Sequence, residues 1–321
     1  MFDPNSDLQN VFTGNFDFDD VAERIWQYQL AHNPVMQAFC NELGTTEQTF
    51  IPIQFFKEFE MRSGKGWEAE AVFKSSGTSG QQSSKHFVKD LKVYDEALMR
   101  GFQQLYGAEE RAVFALLPNY LERGDSSLVY MVKRWIEEFG LPGSGFYLYN
   151  FDALNAALAE AMGNREQILL IGVSYALLDF VASHGIHLPS DAIVMETGGM
   201  KGRGAELTRE QLHQALAKGF GLKEIHSEYG MTELLSQGYM NGKSGFQFPK
   251  WAKVVLTDVY NPLRKVEGAS TGRINIIDLA NVHSCSFIAT DDLGRIDKEG
   301  RLEILGRLDH SELRGCNLLY V

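Results

Sequence analysis

Four short stretches carry side chains that could do chemistry, and they follow one another in a fixed order along the chain. In FKSSGTSGQQSSKHF (residues 73–87), Gly77 and Gly80 are interleaved with Ser75, Ser76, Thr78 and Ser79, and Lys85 follows. A hydroxyl-rich loop of this kind can turn backbone N–H groups and hydroxyls toward phosphate oxygens. Taken alone it is as readily an ordinary surface loop. It is not a Walker A loop, because no Gly-Lys-Ser/Thr follows, and it lacks the G-x-G-x-x-G of a dinucleotide fingerprint. In HSEYGMTEL (226–234), Tyr229 before Gly230 offers an aromatic face. Thr232 and Glu233 set a hydroxyl beside a carboxylate, hard oxygens suited to a phosphate-bound Mg²⁺; the plainer alternative is a strand-to-helix turn capped by the threonine. In ATDDLGRID (289–297) and ILGRLDHSELRG (304–315), Asp291 and Asp292 could accept hydrogen bonds from ribose hydroxyls, and Arg307 presents a fixed fork of donors. Singly, Asp-Asp-Leu-Gly and Asp-Lys-Glu-Gly are turn sequences of a hairpin.

The elements that must position these residues change character along the chain. Residues 18–40 have helical spacing of apolar positions, broken at Pro34. After Gly80, short apolar runs (RAVFALLP, SGFYLYN, QILLIGV, DAIVME, LKEIHSEY) alternate with amphipathic stretches (VYDEALMRGFQQLYG, SLVYMVKRWIEEFG, ALNAALAEAMG, TREQLHQALAKGFG). That rhythm predicts βαβ units around a parallel sheet, an α/β fold. From about Gly245, WAKVVLTDVYNPL, TGRINIIDL, SCSFIATDDLG and RLEILGRLD are strand-and-turn sequence, so a smaller β-rich subdomain without helices is expected. The expected division is an α/β core over 1–244, a β-rich subdomain over 245–305 and a tail over 306–321.

Composition narrows the classes. With 44% hydrophobic and 12% aromatic residues, the 321-residue chain can bury a large core. Its net charge of −12 argues against nucleic acid as a partner, since that affinity rests on Lys and Arg. The most apolar stretch, ILLIGVSYALLDFVA, is short for a bilayer span and carries Asp179, so it is expected as buried core and no membrane span is expected. The acidic N-terminus lacks the features of a signal peptide, and three cysteines (Cys40, Cys285, Cys316) are too few and scattered for a disulfide scaffold. A reduced, cytoplasmic protein is expected. Cys40 and Cys285, placed inside an expected helix and strand, are expected as small buried hydrophobes.

In combination, SSGTSG, EYGMTE, TDDLGR and GRLD…RG resemble the succession in the adenylate-forming superfamily of acyl-CoA synthetases, luciferase-like enzymes and peptide-synthetase adenylation domains. The resemblance runs over roughly residues 73–315. Most members continue past the Gly-Arg-x-Asp hinge into a C-terminal domain that carries a lysine for adenylation, whereas this sequence ends in RGCNLLYV. That ending is similar to the acyl-protein synthetase, LuxE-like branch, which activates a fatty acid with ATP and holds the acyl group on a cysteine near the C-terminus. The implied fold is the large adenylate-forming domain without the usual C-terminal one.

The resemblance implies roles residue by residue. Ser75, Ser76, Gly77, Thr78, Ser79 and Gly80 would wrap the ATP β- and γ-phosphates, with Lys85 closing the loop. Tyr229 of the Tyr229-Gly230 pair would lie on adenine, Thr232 would contact the α-phosphate, and Glu233 would hold Mg²⁺. Asp292 and Arg307 would take the ribose, Asp309 would be the hinge, and Gly198 and Gly199 would form the small-residue turn along the adenine and acyl edge. Cys316, after a glycine and near Arg314, would be the acyl carrier that hands the acyl group to a partner protein such as a reductase or acyltransferase.

Three departures stand against the pattern: Asp291 replaces the family's glycine, the hinge motif is one residue short, and the adenylating lysine is missing. The substrate implied is a small-molecule carboxylic acid, by family a medium-to-long aliphatic one, with an aryl acid open. Two other readings stay open: an acyl- or aryl-CoA ligase using free coenzyme A, and a non-catalytic nucleotide-binding subunit.

Overall fold

The computed structural model describes residues 4–76, 82–118, 124–198, 207–242, 245–266 and 270–308. The chain begins with three helices, α1 (Pro4–Thr13), α2 (Phe18–His32) and α3 (Pro34–Leu43), then a short strand β1 (Ile51–Pro52) and one helical turn α4 (Phe55–Glu58). Helix α2 starts at Asp17, whose carboxylate accepts the N–H of Asp20 at 2.8 Å. The expected break at Pro34 is made by Asn33. This buried residue ends α2 and caps α3, its Oδ1 accepting from the N–H groups of Val35 and Met36 at 3.1 and 3.2 Å.

A strand pair β2 (Ala71–Lys74) and β3 (Lys85–Val88) follows, and then an alternating run. Its members are α5 (Leu91–Tyr106), β4 (Ala112–Leu116), α6 (Ser127–Phe139), β5 (Gly145–Phe146), α7 (Phe151–Gly163), β6 (Ile168–Val173), α8 (Ser174–His184), β7 (Ile193–Thr197), α9 (Arg209–Phe220), β8 (His226–Tyr229) and β9 (Gly238–Asn241). They build a six-stranded sheet ordered β5-β4-β6-β7-β8-β9, parallel except for β9. Every residue of β4 and β6 is buried, which is why AVFAL and ILLIGV read as unbroken apolar runs rather than alternating ones. The stretch expected as one piece of core is in fact β6 running directly into α8, with Asp179 on the exposed side of that helix. Helix α9 opens with a reciprocal cap between Thr208 and Gln211.

The last part is antiparallel: β10 (Ala252–Thr257), β11 (Gly272–Asp278), β12 (Phe287–Ile296) and β13 (Leu302–Arg307), with β1 adding in parallel to β12. A 3-10 turn at Leu279–Asn281 interrupts what was expected to be helix-free. Asp-Asp-Leu-Gly proves to be strand, inside β12, while Asp-Lys-Glu-Gly makes the turn, its Asp297 accepting from the N–H groups of Glu299 and Arg301.

The compact units divide the chain otherwise than the expected boundaries at 244 and 305. One is Met1–Trp67 with Lys250–Val321, the other Glu68–Pro249. The reason is packing of α2 on the antiparallel sheet. Trp26 meets Phe287 edge-on at 5.2 Å, and the buried amide of Gln29 donates to the Val282 carbonyl at 2.9 Å and accepts the Ser286 N–H at 3.0 Å. A fully buried tryptophan contributes roughly 1.5–3 kcal/mol or more of hydrophobic stabilisation, and Gln29 satisfies backbone groups that would otherwise be left unpaired. Among the described residues, no helix is long and apolar enough to cross a membrane.

Candidate active site

In the Glu68–Pro249 unit, the Ser/Gly-rich stretch is the connection between β2 and β3, which pair antiparallel with Lys74 opposite Lys85. Ser75 and Ser84 close its base: Ser75 N–H donates to the Ser84 carbonyl at 3.1 Å, and Ser84 N–H to Ser75 Oγ at 2.9 Å. Lys74 is held by Asp125 at 2.8 Å, while Lys85 is exposed on β3. Ser76 is also exposed. Gly77, Thr78, Ser79, Gly80, Gly199, Asp309 and Cys316 lie outside the described residues.

The second motif sits where β8 ends. Instead of entering a helix, the chain turns through Gly230–Glu233 and returns as the antiparallel β9, so Thr232 caps no helix. Buried His86 of β3 reaches the carbonyl oxygen of Thr232 with Nδ1 at 2.7 Å. That bond ties the strand after the hydroxyl-rich loop to the turn that carries Thr232 and Glu233. Glu233 is only 4% exposed. Tyr229 is half-buried, with ring centroids of Phe246 and Phe248 at 5.7 and 6.2 Å.

Gly230 has a steric reason. A Cβ there would lie 2.4 Å from Glu228 Oε1, so any side chain would displace the buried carboxyl. Glu228 accepts a hydrogen bond from Thr197. Burial pushes its carboxyl up to about 7, opposed by the Thr197 hydrogen bond and reinforced by the nearby charge of Glu196.

The carboxyl ends of β6, β7 and β8 gather a polar cluster that the sequence reading did not single out. Buried Glu196 accepts from Ser227 Oγ at 2.6 Å, and Ser174 Oγ lies 3.0 Å from Glu196 Oε2 and 2.6 Å from the Gly198 carbonyl oxygen. His213 Nε2 is 3.0 Å from Ser227 Oγ. Gly198, at φ +70°, leaves β7 in the left-handed region that favours glycine. Open α/β sheets bind ligands outside the carboxyl ends of their strands. Gly198 directly follows the carboxyl end of β7. Four polar residues spread over residues 174–227 carry no local signal: Glu196 and Ser227 are register partners on β7 and β8, and Ser174 and His213 reach them from α8 and α9.

In the other unit, Asp292 and Arg307 are directly opposed on β12 and β13, with Arg307 Nε 3.3 Å from Asp292 Oδ1. The two residues expected to take a ribose are thus neighbours. Asp291, the departure from the family pattern, lies 3.4 Å from Arg273 Nη2 and accepts from Gln54. Its charge is balanced within the sheet.

Cys40 and Cys285 are buried. Cys285 precedes β12 rather than lying in it, and burial pushes its thiol up to about 12, unfit as a nucleophile near neutral pH. Among the described residues no cluster of three or more metal-ligating side chains occurs. Thr232 and Glu233 nonetheless supply the hydroxyl and carboxylate oxygens that fit a cation held mainly by phosphates.

The fold is that of adenylate-forming enzymes. It superposes on 2-hydroxyisobutyryl-CoA ligase in complex with 2-HIB-AMP and CoA at a TM-score of 0.66, with 12% identity over 90% of this chain and 74% of that one. ATP-bound MatB from Rhodopseudomonas palustris matches at 0.56, with 18% identity over 76% of this chain and 49% of that one. O-succinylbenzoate CoA synthetase (MenE) from Bacillus subtilis matches at 0.54, with 15% identity, 75% and 50%. The chain spans about half the length of the MatB chains it matches. At such identities these likenesses concern the fold alone. Comparison with curated proteins finds no match. The family model of LuxE, acyl-protein synthetase, matches residues 148–320, more than half of the 321 residues, and the chain belongs to that family.

Proposed function

We propose that this protein activates a carboxylic acid with ATP and transfers the acyl group to a thiol, that of Cys316. The observation that carries the reading is the His86–Thr232 bond, which joins the hydroxyl-rich hairpin to the Tyr229–Glu233 turn within one compact unit. Family membership supplies the chemistry.

A carboxylate is a poor acylating agent because oxide would have to leave. Its oxygen attacks the α-phosphorus of ATP, pyrophosphate leaves, and the product is an acyl-adenylate. The Cys316 thiolate then attacks the acyl carbon; the thioester forms and AMP departs with the electron pair of the broken C–O bond. The chain's own residues position and neutralise. By the family resemblance, the Ser75–Gly80 stretch and Lys85 would serve the β- and γ-phosphates, Thr232 the α-phosphate and Tyr229 the adenine, and in the other unit Asp292 with Arg307 would serve the ribose. Glu233 would hold Mg²⁺, which when bound neutralises phosphate charge. The acyl group then passes to an acceptor protein of the reductase or acyltransferase class.

The solved neighbours named as CoA ligases favour one rival, transfer to free coenzyme A. One experiment separates them: purified protein, Mg-ATP and a panel of aliphatic and aryl acids, with and without coenzyme A, followed by pyrophosphate release and covalent label. Acid-dependent pyrophosphate release with hydroxylamine-sensitive label, lost in Cys316→Ser while adenylate still forms, is the expected result. Label-free turnover that requires coenzyme A would install the rival, and no turnover with any acid would leave a nucleotide-binding subunit.

A further inference from the structure

Asp291 and Asp292 are consecutive on β12, at a register irregularity of its pairing with β11, and they meet different partners. Asp292 meets Arg307 across the ladder, whereas Asp291 meets Arg273 and Gln54. Arg273 does more than supply a charge. Its Nε donates to the carbonyl oxygen of Thr290 at 2.6 Å, one residue before the aspartate pair. Thr290 Oγ1 in turn donates to the Ile274 carbonyl at 2.8 Å and accepts the N–H of Asp292 at 3.1 Å. The Leu308 N–H donates to the Asp291 carbonyl at 2.7 Å. One largely buried guanidinium therefore touches both the extra carboxylate and the backbone from which Asp292 projects.

We propose that Arg273 is a positioning residue for nucleotide binding: it cancels the charge of Asp291 and fixes the Thr290–Asp292 backbone, so that Asp292 presents its carboxylate to the ribose diol of an adenine nucleotide. The inference rests on the nucleotide reading above. Without Arg273, the Asp291 carboxylate stands uncompensated next to the residue that receives a polyanion, and it repels the ligand. Burial lowers the affinity of the Arg273 guanidinium for its proton, and the charge of Asp291 acts against that.

The test is equilibrium binding of Mg-ATP to the full chain in wild type, Arg273→Met, Asp291→Asn, the double variant and Arg273→Lys. Arg273→Met should raise Kd about tenfold. Adding Asp291→Asn should bring it back to within about threefold of wild type, because the charge that needed cancelling is gone. Arg273→Lys, which keeps the charge and loses the fork, should fall between, and it carries the test if Arg273→Met does not fold. In turnover, the loss should appear in KM for ATP and not in KM for the acid, a split that general destabilisation would not produce. Wild-type binding by both Arg273 variants, or a double variant no better than Arg273→Met, overturns the proposal. A wild type that does not bind ATP at all overturns the nucleotide reading itself, and this inference with it.

Discussion

Replacing Glu228 by glutamine should remove most of the pH dependence of stability that one buried carboxyl creates. In the unfolded chain that group titrates near its ordinary value of 4.5; in the folded protein, burial holds it up to about 7. Between those values the folded state keeps a proton that the unfolded state has lost. Stability is therefore greatest below pH 4.5, falls as pH rises through that window and levels off above 7. A gap of about 2.5 pH units at ~1.4 kcal/mol each amounts to a loss on the order of 3 kcal/mol. Glutamine has nearly the same shape, still accepts the Thr197 hydrogen bond, and carries no charge at any pH. Urea unfolding of both proteins at pH 4, 6 and 8 gives the answer, since every other titrating group is common to the pair. The two should be nearly equal at pH 4, and the variant should be the more stable at pH 8 by roughly the full amount. Parallel stability curves across the range would refute the assignment of a neutral buried carboxyl.

Three further outcomes are expected. Glu233→Gln should cut acid-dependent pyrophosphate release tenfold or more, on the order of 1.4 kcal/mol in the barrier, and wild-type turnover would remove Glu233 from the cation. Asp292→Asn should weaken Mg-ATP binding by roughly 1.5–3 kcal/mol through loss of a charged acceptor, whereas Asp291→Asn with Arg273 present should matter less; a reversed order would place the motif one residue out of register. Asn33→Ala should destabilise the Met1–Trp67, Lys250–Val321 unit by about 1–3 kcal/mol in urea unfolding, because it removes the α3 cap and the buried bonds to Ser63 and the Ser284 carbonyl; an unchanged midpoint would contradict that.

Much of the local structure was legible from the residues. Unbroken apolar runs such as AVFAL and ILLIGV are what strands buried on both faces require, and they are β4 and β6. The order of the four motifs pointed to the adenylate-forming fold, and the Arg-Gly-Cys stretch at 314–316 to the LuxE family. Where local reasoning failed, the competing possibilities had the same local pattern. A Thr-Glu pair after a strand serves a helix start or a turn into another strand equally well, and pairing of β8 with β9 decides for the turn. The run ILLIGVSYALLDFVA has one hydropathy and two conformations, because β6 ends where Ser174 can reach Glu196 and Gly198.

By itself, the sequence determined which chemistries were within reach: a hydroxyl-rich loop for phosphates, a hydroxyl and carboxylate for a hard cation, an acidic pair and an arginine for a diol. Tertiary structure alone decided which of these groups are neighbours and which charges are cancelled. His86 finds the Thr232 carbonyl 146 residues away, Gln54 finds Asp291 across 237, and Gln29 joins the first helices to the antiparallel sheet across 257. Such pairs depend on strand register and helix docking, which periodicity does not encode. An aspartate that looked like an obstacle to a nucleotide turned out to be neutralised because β11 places Arg273 beside it, while Asp292 pairs with Arg307 of β13 instead.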